Sequence, residues 1–224
     1  MKDFIKNRLN EGLVFELIQT MMDEEYPSTF NMEHFKTLRK FAERVRYCEE
    51  HLKRISSGTA RIVYMVDNTK VLKLAKNEKG LAQCGVEIEY GQYHDLDGVV
   101  AKIFEYDEKN LWVEMQLARK LTPTLFKQIS GFSFEDFQKA VNDYGMDSGN
   151  GGSGYKSNIN PQIMEQMWEN EFTYGIFQFI GNYGVPVGDL KRLNSYGIVS
   201  ENGENSIVII DYGLTSDVYT SYYA

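Results

Sequence analysis

Cysteine is almost absent. Only Cys48 and Cys84 occur, in neither a CxxC pair nor a Cys/His metal spacing, which excludes a disulfide framework and a zinc site and fits a reducing compartment. Histidine is as scarce: His34, His51 and His94 fall on helical or turn segments with no Cys or acidic metal pattern beside them, and none is assigned chemistry. No apolar run approaches the length that spans a membrane, and the opening MKDFIKNRLNEG mixes charges into its apolar positions where a signal core would be continuous. A soluble, cytoplasmic protein is expected. Basic charge is also in deficit. A net charge of -8 argues against a broad nucleic-acid surface, because phosphate binding needs clustered Lys and Arg; a local basic pocket is still allowed. What is present is apolar: 42% of 224 residues is enough to bury the core of one compact domain or one bilobal unit.

Along the chain, Phe4, Ile5, Leu9, Leu13, Leu17 and Met21 share one helical face, and Phe35, Leu38, Phe41, Ala42, Val45 and Leu52 repeat that spacing. Residues 1–54 therefore read as a helical extension, punctuated at Pro27-Ser28, with Asn31 and Glu33 opening its second helix. From Ile55 the texture becomes β-prone. RIVYMV and KVLKLA form a hairpin across Asp67-Asn68-Thr69, a helix runs through Gly85 to His94, and VVAKIFEYD and LWVEMQLA make a second strand pair. From Thr122 the pattern is helical again: FSFEDFQKAVNDYG opens at Ser133, and MEQMWENEFTYGIFQFIGNYG reads as one largely apolar helix. Between them, residues 145–161 are rich in Gly, Ser and Asn and read as a flexible insertion with a lid role open. SIVIID is a buried β run, which places Gly188 to Asn194 and Asp211 on the two sides of a short β excursion.

Three segments carry chemistry. In Gly188-Asp189-Leu190-Lys191-Arg192-Leu193-Asn194 an Asp is followed by a Lys two positions later and an Asn five positions later. Phosphoryl transfer needs an acceptor that orients the attacking hydroxyl, positive charge near the moving phosphoryl and an amide oxygen on the metal; Asp189, Lys191 and Asn194 supply these in order. Asp211-Tyr212-Gly213 is similar to the DFG turn, with Asp211 as a second hard oxygen ligand for Mg²⁺. Upstream, Ser57, Gly58 and Thr59 precede Lys73 as a phosphate-covering loop precedes a strand lysine, although one glycine stands where several are usual. Glu87 is the first choice and Glu89 the second for the carboxylate that orients Lys73; only one can face it, because positions two apart lie on nearly opposite sides of a helix.

Taken in order, VLKLAKN, GDLKRLN and IDYGLT resemble the protein-kinase superfamily, and more narrowly the compact kinase-like proteins predicted in bacteriophage genomes. The resemblance runs from about Ile55 to the end of the chain. It implies an α+β, bilobal protein-kinase-like fold: a small antiparallel-sheet N-lobe over 55–117, a truncated, mainly helical C-lobe over 118–224, and the helical extension outside it. It implies ATP and Mg²⁺ as cofactors, an interlobe hinge at Met115 to Leu117, and a host-cytoplasmic or virion-associated setting. The departures carry expectations too. Val187 and Gly188 replace the usual His and Arg, so control by activation-loop phosphorylation is not expected. Cys84-Gly85 stands where a more polar pair belongs. Only LTSDVYTSYYA follows Gly213, which argues against ordinary peptide-substrate recognition.

The function expected is an atypical phosphotransferase that moves phosphoryl from Mg-ATP to a hydroxyl on a protein or small molecule. Two alternatives stay open: an AMP transferase on the same fold, and a pseudokinase or phage-associated interaction protein. No membrane partner is expected, and the oligomeric state is not legible.

Overall fold

The structure, a computed structural model, describes residues 29–148, 159–201, 203–213 and 215–222. The helix expected over residues 4–22 and most of the 145–161 insertion lie outside them.

The described chain opens with two short helices. In α1 (Met32–Thr37) Asn31 is the cap, its side chain accepting from the His34 amide at 2.9 Å. The helical spacing over 35–52 predicts one helix; instead Leu38 turns extended, and α2 (Phe41–His51) starts afresh with Glu43 accepting from the Lys40 amide. Strands β1 (Lys53–Ser57), β2 (Arg61–Met65), β3 (Lys70–Ala75), β4 (Ile103–Tyr106) and β5 (Trp112–Gln116) form an antiparallel sheet in the order β1-β2-β3-β5-β4.

Register decides what each face carries. Tyr64 lies opposite Leu72, Ile62 opposite Leu74, and Leu74 opposite Trp112. Since alternate residues point to opposite sides, these five make one apolar face. It is covered by Phe35 of α1 and Cys48 of α2, both wholly buried. Burying a phenylalanine side chain stabilises by about 1.5–3 kcal/mol, so the extension is part of the sheet's core. The other face carries Arg61, Val63, Val71, Lys73, Val113 and Met115. Helix α3 (Glu78–Tyr90) crosses it, capped by Asn77 and packing Cys84 and Ile88 on Ala75 and Val113. The sequence reading started this helix near Gly85; the Asn77 cap sets its start seven residues earlier, at Glu78. After a 3-10 turn at His94–Leu96, residues 99–101 run beside the later hairpin. There the Ile209 amide donates to Val99 O at 2.8 Å and the Ala101 amide donates to Ile209 O at 2.9 Å.

Beyond Leu117 comes a second sheet, β6 (Arg119–Lys120), β7 (Tyr196–Glu201) and β8 (Glu204–Ile209), set among helices α4 (Pro123–Ser130), α5 (Phe134–Ser148), α6 (Pro161–Glu169), α7 (Glu171–Tyr183), α8 (Val187–Leu190) and α9 (Ser216–Tyr222). The apolar stretch read as one helix is two. Asn170 turns extended between α6 and α7 and accepts from the Thr173 amide at 3.2 Å, capping the second. Residues 145–148, expected in the insertion, complete α5.

Aromatic rings fill the lobe. Phe126 and Phe137 lie 5.1 Å apart, and Phe137 and Tyr196 lie 5.7 Å apart edge to face. The same cluster takes in Val71, Tyr90 and Met115 from the first lobe, so one core runs beneath both. A small antiparallel sheet with one crossing helix, a short connector and a mainly helical second lobe is the bilobal, α+β, protein-kinase-like architecture. Among the described residues no helix is long and apolar enough to cross a membrane.

Candidate active site

Lys73, in the middle of β3, faces the cleft beside Val63 and Val113. It is 6% exposed, and a buried ammonium requires partners. Its Nζ donates to Glu87 Oε1 at 2.9 Å and to the Ile210 carbonyl at 2.6 Å. Glu87 is fully buried, in the third turn of α3. Glu89, two residues on, points elsewhere and accepts from the Tyr93 hydroxyl at 3.1 Å. Helix phase thus resolves the choice in favour of Glu87.

The second oxygen of Glu87 meets a group that the sequence reading did not single out. Arg61 Nη1 lies 2.6 Å from Glu87 Oε2 as an ion contact without hydrogen-bond alignment, and Arg61 Nη2 donates to Asp211 Oδ1 at 2.8 Å. Burial works against charge on Arg61, but Glu87 and then Asp211 outweigh it and hold the guanidinium protonated. Four side chains, Lys73, Glu87, Arg61 and Asp211, therefore form one chain of alternating charge across the cleft. A signal was available. Counting G-x-G-x-x-G from Ser56 puts Arg61 at the third glycine, a large cation where backbone normally closes on phosphate.

Asp211 itself is exposed, its side chain 58% accessible, directly after β8. Tyr196 pairs with Ile209 and the Ile210 amide donates to Ser195 O at 2.8 Å, while Asn194, exposed, sits in the 3-10 turn Leu193–Ser195 that leads into β7. Tyr212 turns inward, fully buried, and donates to Ala101 O at 3.2 Å. At Gly213 a Cβ would lie 2.6 Å from Gln83 O of α3. Only glycine lets this turn press on the helix that carries Glu87.

The loop before Asn194 is cinched by side chains. Ser195 Oγ donates to Asp189 O at 2.7 Å and the Tyr196 hydroxyl to Leu190 O at 2.6 Å. Asp189 Oδ1 sits 3.1 Å from Arg192 Nη1. Burial raises the Asp189 carboxyl above its ordinary value; Arg192 opposes this and Asp211 adds to it. Lys191 is drawn to α5, where Nζ donates to Asn142 Oδ1 at 2.9 Å.

Ser57, Gly58 and Thr59 are exposed at the β1–β2 turn. The Gly58 amide is used inside that turn, donating to Arg61 O at 2.9 Å; Lys76 Nζ donates to Gly58 O and Asn77 Nδ2 to Thr59 O, both at 3.0 Å. At the connector Met115 is buried in the common core, and the Leu117 amide donates to Thr69 O at 2.7 Å. Cys84, beside Glu87, is a packing residue: burial pushes its thiol up to about 11.

Lys73, Glu87 and Asp211 are thus brought together with Arg61, Asp189 lies close enough to Asp211 to feel its charge, and Lys191 is held to one side. No group of three or more His, Cys, Asp or Glu among the described residues could hold a metal ion. Asp211 and Asn194, both exposed, are the oxygen donors that the sequence reading named.

No family model matches the chain, and no curated protein matches it. Several solved structures do. The streptomycin–ATP ternary complex of APH(2")-IIa is 9% identical, with a TM-score of 0.34, covering 79% of this chain and 72% of that one. The GDP and kanamycin complex of APH(2")-IIia is 11% identical, with a TM-score of 0.36, over 78% and 73%. ADP-bound aminoglycoside phosphotransferase APH(2'')-Ib is 11% identical, with a TM-score of 0.33, over 77% and 69%. The fold stands on its own strand order, its connector and the buried Lys73–Glu87 pair, and on these it is protein-kinase-like.

Proposed function

We propose that this chain is an ATP-dependent phosphotransferase acting on a hydroxyl acceptor. The observation that carries the reading is the placement of Lys73 Nζ, 2.9 Å from Glu87 Oε1 and 2.6 Å from the carbonyl that immediately precedes Asp211. A strand lysine fixed in this way sets a positive charge beside the groups suited to metal and phosphate.

Mg²⁺ keeps an octahedral oxygen shell and is usually bound through one or two carboxylates together with substrate phosphates. The donor chemistry fits it: Asp211 is exposed and spends Oδ1 on Arg61, leaving Oδ2, and Asn194 offers an exposed amide oxygen in the turn before β7. When bound, the ion neutralises charge on the phosphate oxygens. Lys73 and Arg61 supply the fixed positive field along one wall of the cleft. Asp189, whose carboxyl burial raises, accepts the hydrogen bond of the incoming hydroxyl and draws off its proton as the oxygen attacks. Lys191 reaches a phosphate only by leaving Asn142, and Ser57 to Thr59 would cover the phosphates through amides not spent within their own turn. Met115 and Leu117 border the nucleotide base. A phage setting is supported by the motif resemblance.

A second reading has its own observation. Arg61 already neutralises Asp211 and Lys73 already has two partners, which favours a pseudokinase that takes nucleotide as a structural ligand. The test combines a thermal shift with Mg-ATP and turnover of γ-labelled against α-labelled ATP. A shift with γ-label transfer or release supports phosphotransfer. A shift without turnover supports the pseudokinase, α-label on the product means adenylyl transfer, and no shift at saturation removes the nucleotide site.

A further inference from the structure

The two helices that cover the apolar sheet face, together with the β4–β5 hairpin beside them, carry charged groups that phosphotransfer leaves unused. Arg44, in the first turn of α2, is 7% exposed, and its Nε is buried with no hydrogen-bond partner. Among the described residues no carboxylate pairs with it. A buried guanidinium without a counter-charge is costly, because desolvation is not repaid by attraction.

Arg44 lines a cavity of about 680 Å³ between α1, α2 and the β4–β5 hairpin, together with Lys36, Arg39 and Lys109. The carboxylates there are mostly committed. Lys36 holds Glu105. Asp107 Oδ2 accepts from the Lys109 amide at 2.8 Å and the Leu111 amide at 3.4 Å. Glu108 is exposed at the rim. Four cations thus stand against three carboxylates, and Arg39, Arg44 and Lys109 have no ion-pair partner among the described residues.

We propose that this cavity binds an anion of the phosphoryl class, seated on Arg44 and closed over by Arg39 and Lys109, at a site separate from the nucleotide cleft. The planar fork of a guanidinium matches two oxygens of a phosphoryl group, and three cations without an ion-pair partner offer it more donors than a single carboxylate would use. The ligand supplies the counter-charge that Arg44 lacks, and its binding ties α2 to the β4–β5 turn.

The probe is inorganic phosphate, titrated at constant ionic strength into the full chain and followed by calorimetry and thermal shift. Wild type and Lys73→Met should bind and be stabilised alike. Arg44→Met should bind about tenfold more weakly or not at all, and Arg39→Gln should be weakened. Arg44→Met removes an unpaired buried charge, so its stability without phosphate should match or exceed that of wild type. If it does not fold, Arg39→Gln, changed at an exposed side chain, carries the test. Equal phosphate affinity in wild type and both arginine variants overturns the proposal, as does no binding to wild type. Loss in Lys73→Met alone would put the anion in the cleft, and malonate binding as tightly as phosphate would refute the phosphoryl class.

Discussion

Arg61 Nη2 lies 2.8 Å from Asp211 Oδ1, so the first residue of β2 is bonded across the cleft to the carboxylate that follows β8. Its other nitrogen reaches Glu87, which makes Arg61 the link between the Lys73–Glu87 pair and Asp211. Removing one partner of a buried ion pair typically costs about 3–5 kcal/mol. Arg61→Met should fall near the lower end of that range in urea unfolding, and Arg61→Lys should recover part of the loss by keeping one contact. An unchanged midpoint in Arg61→Met would show that the guanidinium adds no stability.

The proposed phosphotransfer rests on Asp211 and Lys73. Asp211→Asn should lower Mg-dependent turnover on the order of 100-fold, the scale for losing one fixed electrostatic group in an active site. Its exposure predicts little change in melting temperature. Lys73→Met and Glu87→Gln should be non-additive in a double-mutant cycle, because the two groups are bonded to each other. Full turnover in Asp211→Asn would refute its metal role.

The Asp189 carboxyl is raised because burial disfavours its charged form. Folding therefore favours the protonated state: that stability is fully present below the ordinary carboxylate value and is lost as pH rises through the raised folded value. At neutral pH Asp189→Asn should be at least as stable as wild type, since the Arg192 contact it gives up is largely exposed. The advantage should vanish in acid. Catalysis runs the other way: the wild-type rate should climb with pH above the ordinary carboxylate range, and Asp189→Asn should lack that limb. Matching acid limbs in the two proteins would exclude Asp189 as proton acceptor.

Gly213 is where the chain touches the helix of Glu87. Gly213→Ala places a methyl group 2.6 Å from Gln83 O, so the turn or α3 must shift. Overpacking of this kind costs about 1–3 kcal/mol. Circular dichroism should show an intact fold, and ATP binding should weaken as Glu87 and Asp211 move apart. Wild-type affinity in this variant would mean that the helix and turn move independently.

Phe35 tests the covering helices. It is wholly buried against Trp112, with ring centroids 5.7 Å apart, and Phe35→Ala should cost about 3–5 kcal/mol. Hydrogen exchange should speed up in β2, β3 and β5 before it does so in α4 to α7. A loss under half a kcal/mol would mean that α1 is dispensable to the sheet.

Part of the candidate site was legible from order and residue type: the strand lysine and the Asp-Tyr-Gly turn meet because a β hairpin returns the chain, whereas Lys191 of the Asp–Lys–Asn loop is drawn to α5. Helix periodicity narrowed the Lys73 partner to Glu87 or Glu89, and only the rotation of α3 about its axis chose between them. Arg61 stands at the third glycine position of the phosphate-covering pattern, but its partners depend on strand register, which a single strand does not announce. The apolar face of α1 and α2 was readable, whereas the surface it would cover was not, since alternating strands leave two candidate faces. Asn170 was missed because the apolar periodicity continues through the break, although an Asn ahead of Glu171 and Thr173 is itself cap chemistry.

The backbone stitch between Val99, Ala101 and Ile209 limits how such a cleft can breathe. Together with the covalent connector after Leu117 it gives the two lobes two anchor points, and a body anchored at two points keeps one rotational freedom about the line joining them. Opening is then a swing about a fixed axis rather than a separation. If nucleotide binds as proposed, exchange should proceed at the outer mouth, by the β1–β2 turn, while the floor beside Val99 and Ile209 stays shut.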